Sequence, residues 1–226
     1  WKSGKRQDYH FYMATYAKKG YVVATVSYRL TDQAPYPAAV QDCKCAVRWL
    51  RANAKKYMID PEKIAVVGGS AGGHLSMMLG YADDPTLEGE SGHRGVSSRV
   101  SAVVNIYGVY DMTTRIAKES DAVKSFLQGK SFEEAPELYR QSSPMVHLDK
   151  DDPPTLILHG TIDETVPVAQ SDRLAAHLKR LKIPHAYGRL DGWPHTMDLA
   201  KPVNDYCQAM MDRFFAEHLP LPRKKD

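Results

Sequence analysis

The sequence predicts an α/β fold in which helices cover both faces of a mostly parallel sheet. Five short runs rich in β-branched and aromatic residues alternate with segments of helical period. The inner runs are almost continuously apolar, as expected for parallel strands buried on both faces. With 226 residues, of which 43% are hydrophobic and 25% charged, the composition is typical of one soluble globular domain.

The predicted strands lie, in chain order, at 21–28 (YVVATVSY), 63–68 (KIAVVG), 100–108 (VSAVVNIYG), 155–160 (TLILHG) and 184–190 (PHAYGRL). The predicted helices lie at 8–20, 36–56, 70–82, 167–182 and 204–219. Asp8 is a suitable N-cap and Gly20 a suitable stop for the first helix. The second helix carries one apolar stripe, and the fourth begins with Pro167 at a first helical position. Two stretches interrupt this alternation: a loop at 83–98 and a partly helical span at 111–154.

The bulk composition excludes several classes of function. A net charge of +3 is too small to indicate a nucleic-acid partner, and we interpret the basic C-terminal PRKKD as a solvated tail. No apolar run approaches the ~18 residues of a membrane span. Cys43, Cys45 and Cys207 lack C-x-x-C spacing, so we expect no disulfide framework. We also expect no cofactor and no metal site, since no pair of ligands has zincin-like spacing.

Ser70 is the candidate nucleophile. It lies in GGSAGG, where the strand at 63–68 ends and a helix begins. A sharp strand-to-helix turn lifts a serine hydroxyl above the sheet and crowds its neighbours, which explains the glycines at 68 and 72. The backbone N–H of Ala71 would then face a developing oxyanion. The alternative is a glycine-rich turn that only packs a helix against the sheet. A phosphate loop is disfavoured because its lysine and its glycine spacing are absent.

A serine needs a base and an orienting acid, which follow it in the order acid, then histidine. His195, in GWPHTM after the last predicted strand, is the preferred base among nine histidines, and His93 is its weaker competitor. Asp163 is the preferred acid because it follows the carboxyl end of the strand at 155–160. Glu164 and Asp111 remain alternatives, the latter with capping as its other role.

These residues resemble the α/β-hydrolase esterases, in the branch of hormone-sensitive-lipase-like enzymes and bacterial acetyl (xylan) and feruloyl esterases. The matching stretches are SYRL, YPAAVQDCKCAVRWL, IDPEKIAVVGGSAGGHL, SPMVHLDKDDPPTLILHGTIDETVPVAQS and GWPHTM. The resemblance implies that 1–226 is one α/β-hydrolase catalytic domain with Ser70 as nucleophile, Asp163 as acid and His195 as base. Gly69 stands where many members carry an acidic residue, which favours small acyl groups on sugars.

The sequence also departs from this family. Members carry a His-Gly-Gly-Gly loop, commonly followed by Trp, and this chain begins at Trp1 without initiator methionine or signal peptide. We therefore expect a piece of a longer polypeptide that lacks the usual N-terminal strands, and its compartment stays open. Either a separate N-terminal segment or a homo-oligomer completes the sheet, or the sheet closes in an atypical way.

The predicted function is carboxylic-ester hydrolysis by acyl transfer from a small-molecule or carbohydrate ester, with no nucleic-acid or membrane partner. Candidate pocket walls are Trp1, Tyr107, Tyr110 and Trp193, and the span 111–154 is a candidate lid. Two alternatives remain at this level: an amidase or peptidase on the same scaffold, and a non-catalytic binding module that lacks the glycine loop.

Overall fold

Four parallel strands form the sheet in the computed structural model, which describes residues 1–222. The strands are β1 (Ala65–Gly69), β2 (Ala102–Ile106), β3 (Thr155–Gly160) and β4 (His185–Leu190). Each strand pairs in parallel with its neighbour in sequence, in the order β1-β2-β3-β4. These strands confirm four of the five predicted runs.

Helices connect and cover the strands. They are α1 (His10–Lys18), α2 (Ala38–Ala52), α3 (Ala54–Tyr57), α4 (Ala71–Tyr81), α5 (Arg115–Glu119), α6 (Asp121–Phe126), α7 (Pro136–Gln141), α8 (Ala169–Leu181) and α9 (Lys201–His218). Short 3₁₀ turns lie at Arg6–Tyr9, Pro85–Leu87, Pro144–Val146 and Met197–Leu199. The five predicted helices are all present, and α5–α7 lie in the span predicted to be partly helical. The basic tail of the sequence lies beyond the described residues, apart from Pro222. Along 1–222, no helix combines the length and the apolar character needed to cross a bilayer.

The core has two layers, one on each face of the sheet. Val103 and Ile157 face the layer formed by α2, α4 and α8. Val104, Leu156 and Leu158 face the opposite layer, formed by α1 and α9. Because successive side chains of a strand point to opposite faces, β2 and β3 are buried at every position and mostly apolar, with Asn105, Thr155 and His159 as buried polar exceptions. This arrangement confirms the prediction of helices on both faces.

The predicted strand at 21–28 is wrong. This segment forms no ladder with the described sheet, and β1 is an edge strand. Val22 and Val26 are 54% and 37% exposed, and Val67 of β1 is 37% exposed. A strand is defined by hydrogen bonds to a neighbouring strand. The β-rich composition of this segment therefore could not by itself make it one.

The parallel sheet brings four loops together. The carboxyl ends of all four strands meet at one edge, so the residues after β1, β2, β3 and β4 converge there. Ser70, Tyr107, Asp163 and His195 each follow a different strand. The fold thus gathers, at one edge, residues that are far apart in the sequence.

Candidate active site

Ser70 sits on a strained turn between β1 and α4. Its backbone has φ 54° and ψ −117°, a left-handed conformation that costs a non-glycine residue free energy. Two hydrogen bonds hold the turn: the Ser70 N–H donates to Ile106 O at 2.9 Å, and the His74 N–H donates to Ser70 O at 3.0 Å. The backbone that carries the Ser70 hydroxyl is therefore bound both to β2 and to α4.

Gly68 makes this turn possible. A Cβ at that position would lie 2.3 Å from the carbonyl carbon and oxygen of Gly72. No side chain fits such a distance between the end of β1 and the first turn of α4. The glycine at 68 therefore has the steric cause that the sequence predicted, whereas a Cβ on Gly72 would meet no atom within 4 Å, so the predicted crowding at 72 is wrong.

Ser70, His195 and Asp163 form a hydrogen-bonded chain. His195 Nε2 lies 3.0 Å from Ser70 Oγ, and His195 Nδ1 lies 2.6 Å from Asp163 Oδ2. An ionised carboxylate only accepts, so Nδ1 carries the proton and Nε2 is free to accept from the serine hydroxyl. The side chain of Asp163 is fully buried, whereas that of His195 is 17% exposed. The imidazole of His195 therefore lies between the buried carboxylate of Asp163 and the protein surface.

Four donors converge on the Asp163 carboxylate. Oδ1 accepts the backbone N–H groups of Thr165 and Val166 at 2.9 and 2.8 Å, and Oδ2 accepts from His195 and His159. Burial by itself raises the pKa of Asp163. The hydrogen bonds from His159, His195 and Val166 outweigh burial and hold that pKa well below its usual range. Asp163 is thus a fixed anion beside the imidazole.

His159 is a site residue that the sequence prediction missed. It is buried on β3, and its Nε2–H is shared between Val166 O at 2.8 Å and Asp163 Oδ2 at 3.2 Å. Its Nδ1 accepts from the Ser171 hydroxyl at 2.7 Å. The sequence feature that could have identified His159 was its position near the end of a strand, four residues before Asp163. A histidine there can turn back onto the acid.

The competing acids and the competing base are engaged elsewhere or exposed. Asp111 Oδ1 accepts the Thr113 N–H at 2.8 Å, and its Oδ2 accepts from Arg173, so it caps the segment after β2. Glu164 is exposed beside Asp163. His93 is exposed in the loop at 83–98. The geometry therefore favours Asp163 and His195 as partners of Ser70.

His74 lies one turn beyond Ser70 and belongs to the core. The Trp1 indole N–H donates to His74 Nδ1 at 3.1 Å, and His74 Nε2–H donates to Ser142 O at 2.8 Å. Trp1 is buried and stacks on Phe126 with ring centroids 4.7 Å apart. Burial lowers the pKa of His74 to about 3, so the ring stays neutral. Trp1, a predicted pocket wall, is placed in this interior cluster.

The other predicted pocket residues divide into two groups. Tyr107 is buried and adjoins the triad, with its ring centroid 4.7 Å from that of His195, whereas Trp193 is half-buried in the loop two residues before His195. Tyr110 is fully buried, and its hydroxyl lies 2.5 Å from His177 Nδ1 on α8. Tyr110 therefore packs beneath the surface rather than beside the serine.

The start of α4 supplies a donor for negative charge. Ala71 is the first residue of that helix, and the first N–H groups of a helix lack internal acceptors. The helix dipole adds partial positive charge at this end. The Ala71 N–H, next to Ser70 at the start of α4, stays the predicted oxyanion donor. Across 1–222, no three His, Cys, Asp or Glu side chains gather as a metal site would require.

Replacing Gly160 with alanine is expected to lower kcat by about 10²-fold, because small displacements of catalytic groups have effects of that size. A Cβ on Gly160 would lie 2.1 Å from Trp193 O. The clash would push away the loop that carries His195. Steady-state hydrolysis of p-nitrophenyl acetate measures the effect.

Gly95→Ala is the matched control. That glycine lies in the loop at 83–98, where an added Cβ meets no atom within 4 Å. It should leave kcat unchanged even if its φ of 83° makes alanine unfavourable. Equal kcat for wild type and Gly160→Ala would show that the His195 loop does not depend on this contact.

A family model and two mycobacterial esterases match most of this chain. A family model described as BD-FAE matches residues 1–178. Esterase LipC of Mycobacterium tuberculosis is 34% identical over 207 residues, which cover 88% of this chain and 51% of that protein. The probable carboxylic ester hydrolase LipM of the same organism is 33% identical over 226 residues, with 96% and 52% covered. The chain thus spans about half the length of these relatives.

Solved structures of ester-hydrolysing enzymes also superpose on most or all of this chain. A thermophilic esterase, Est2, from Thermogutta terrifontis superposes with a TM-score of 0.82 at 26% identity, covering 100% of this chain and 81% of that one. A truncated carbohydrate esterase from gut microbiota gives 0.73 at 29% identity, with 84% and 73% covered. An acetyl ester-xyloside bifunctional hydrolase from Caldicellulosiruptor lactoaceticus gives 0.75 at 27% identity, with 87% and 71% covered.

Proposed function

Because this chain belongs to the BD-FAE family of α/β-hydrolase esterases, we propose that it hydrolyses carboxylic esters with Ser70, His195 and Asp163. The observation that carries the proposal is the chain of contacts from Ser70 Oγ through His195 to Asp163, at 3.0 and 2.6 Å. A serine hydroxyl is a weak nucleophile until a positioned base removes its proton. The triad geometry supplies that base with its free nitrogen directed at the hydroxyl.

The first half of the reaction forms an acyl-enzyme. His195 Nε2 takes the proton of Ser70 as Oγ attacks the ester carbonyl carbon. The tetrahedral oxyanion that results is held by the Ala71 N–H at the start of α4. Protonated His195 then gives its proton to the leaving alcohol oxygen as the C–O bond breaks. Ser70 is left as an acyl ester.

The second half repeats these steps with water. His195 removes a proton from water as its oxygen attacks the acyl carbonyl, and collapse of the intermediate returns the proton to Ser70 and releases the acid. Asp163 keeps the histidine proton on Nδ1 throughout and opposes the positive charge of the imidazolium. Its depressed pKa means that it stays ionised across the working pH range.

We propose short acyl esters, including those of sugars, as the substrate class. Relatives include a carbohydrate esterase and an acetyl ester-xyloside hydrolase, and the Thermogutta esterase has been solved with propionate and with butyrate bound. We propose that Trp193, half-buried two residues before His195, packs against the acyl group or the sugar ring.

A fluorophosphonate probe and a series of p-nitrophenyl esters test the proposal together. We expect Ser70 Oγ to displace fluoride from the probe, so that the peptide containing Ser70 gains the mass of the probe less HF, and we expect the labelled protein to lose its hydrolysis. Because the proposed acyl groups are small, kcat/KM should be higher for acetate and butyrate than for octanoate.

p-Nitroacetanilide is the comparison substrate for amide hydrolysis. Faster turnover of the anilide than of the acetate would favour an amidase. Folded protein that neither takes the label nor hydrolyses any ester would contradict the proposed function and leave a binding module as the interpretation.

A further inference from the structure

The loop that carries His195 is held at its beginning by the residues that follow β3. Gly192 N–H donates to Thr161 Oγ1 at 2.8 Å, and Ile162 N–H donates to Trp193 O at 3.2 Å. These contacts fix the residues before the histidine. The residues after it need a separate anchor if the ring is to keep its orientation toward Ser70.

That second anchor is Asp198, a buried carboxylate outside the triad. It lies three residues after His195 and is 2% exposed. Its Oδ1 accepts from the hydroxyl of Tyr107, its Oδ2 lies 3.5 Å from the hydroxyl of Tyr12, and its carbonyl accepts from Asn204 Nδ2 at 2.9 Å. Donors from three separate segments of the chain thus hold one residue in place.

Tyr107 connects this carboxylate to the base. It follows β2 with φ 42°, an unfavourable value for a tyrosine, and its N–H donates to Leu158 O at 2.8 Å. Its ring lies 4.7 Å from the His195 ring at an interplanar angle of 57°. The Tyr107 ring therefore packs against the imidazole of His195, and its hydroxyl donates to Asp198.

We propose that Tyr107 and Asp198 are positioning residues that hold His195 in line with Ser70 and place a second negative charge behind it. The inference rests on the proposed function, since it assigns these residues a role in the same reaction. Neither residue touches the ester. They act through the orientation of the imidazole and through its charge.

The charge of Asp198 follows from its partners. Burial is the largest influence and holds the pKa of Asp198 above its usual range, although the hydrogen bonds from Tyr107 and Tyr12 lower it in part. A phenol, with an ordinary pKa of about 10, is a far weaker acid than a carboxyl group, so the shared proton stays on the tyrosine. Because both Asp198 oxygens accept from tyrosine hydroxyls, we take Asp198 as the carboxylate anion, and an anion near His195 favours the imidazolium that forms when Ser70 is deprotonated.

The other groups around Asp198 are neutral at pH 7. They are Tyr9 before α1, Tyr12 on α1, Tyr107 after β2 and Cys207 on α9, and burial raises the pKa of each of them. Cys207, for example, is raised to about 12. His195 is the group near Asp198 that changes charge during the reaction, and Asp163 is the other carboxylate that interacts with it.

Tyr107→Phe, Asp198→Asn and the double variant test the proposal. We expect each single variant to lower kcat, expressed per titrated active site, about tenfold, with KM nearly unchanged. The double variant should lose no more than the larger single loss, because the two residues act as one unit.

Asp198→Asn, which removes the charge, should also move the acid-side midpoint of the kcat/KM profile about 0.5 unit lower. A merely structural role would not move this midpoint.

Tyr139→Phe is the matched control. Tyr139 is equally buried and donates one hydrogen bond, to Lys130 O at 2.9 Å, outside the triad. Its kcat per site should equal that of wild type. Active-site titration with a chromogenic phosphonate removes the effect of any unfolded fraction. Unchanged kcat per site in both Tyr107→Phe and Asp198→Asn, or an equal loss in Tyr139→Phe, would overturn the proposal.

A second readout separates this inference from the proposed function. The low-field NMR signal of the His195 Nδ1 proton, bound to Asp163, reports ring position whether or not the protein turns over an ester. We expect it to broaden or shift in Tyr107→Phe and to stay unchanged in Tyr139→Phe. An unchanged signal in Tyr107→Phe would overturn the positioning role, whereas absent ester turnover in wild type would count only against the proposed function.

Discussion

Replacing Ser70 with alanine is expected to lower kcat for p-nitrophenyl acetate by about 10⁵- to 10⁶-fold, as for other triad serines. The alanine leaves His195 without a hydroxyl 3.0 Å from Nε2, so no acyl-enzyme can form. The backbone strain at φ 54° is the same for alanine as for serine. The loss should therefore appear in kcat without a comparable fall in Tm. Steady-state kinetics and thermal unfolding of the same preparation measure both quantities.

Ser76→Ala is the control for this substitution. Ser76 is buried on the same helix, α4, at a greater distance along the chain from the turn. It should retain the wild-type kcat. If Ser70→Ala kept more than a few per cent of the wild-type rate, Ser70 would not be the nucleophile, and the triad mechanism would fail.

Asp163→Asn is expected to lower kcat by about 10⁴-fold, the loss known when an orienting aspartate becomes an amide. An asparagine amide can donate to His195 Nδ1, which favours the tautomer with the proton on Nε2. That tautomer cannot accept the proton of Ser70. Asp111→Asn is the matched control, because Asp111 was the competing acid in the sequence but binds Arg173 and Thr113. A greater loss in Asp111→Asn than in Asp163→Asn would contradict the assignment.

Asp163→Asn should also change how the free energy of unfolding depends on pH. The pKa of Asp163 is depressed in the folded chain, so the stabilisation is fully present above the unfolded value of about 4. It is lost as pH falls through that value toward the folded pKa. The free energy of unfolding of Asp163→Asn should therefore lie below that of wild type at pH 7, and the difference should shrink at pH 3. Urea unfolding at both pH values measures it. A constant difference would contradict the depressed pKa.

Local patterns predicted much of this molecule. The α/β-hydrolase fold is confirmed by the parallel sheet and by its esterase neighbours. The turn at Ser70 was predictable because strand, glycine turn and helix N-terminus are consecutive in the sequence. The helices α2, α8 and α9 were predictable because an amphipathic period of 3.6 residues is visible within one segment.

Tertiary structure decided what depends on distant partners. The segment 21–28 has the composition of a strand, yet a strand also needs a neighbour to pair with, and that depends on the rest of the sheet. His195 meets Ser70 across 125 residues, and Tyr107 meets Asp198 across 91. The choice between Asp163 and Asp111 likewise depended on which carboxylate reaches the imidazole. Short-range periodicity and turn chemistry are carried by adjacent residues, so the sequence alone determined the helices and four of the strands and named the candidates. The hydrogen bonds that join strand ends arise only when packing brings them together, so the structure alone decided which candidates meet.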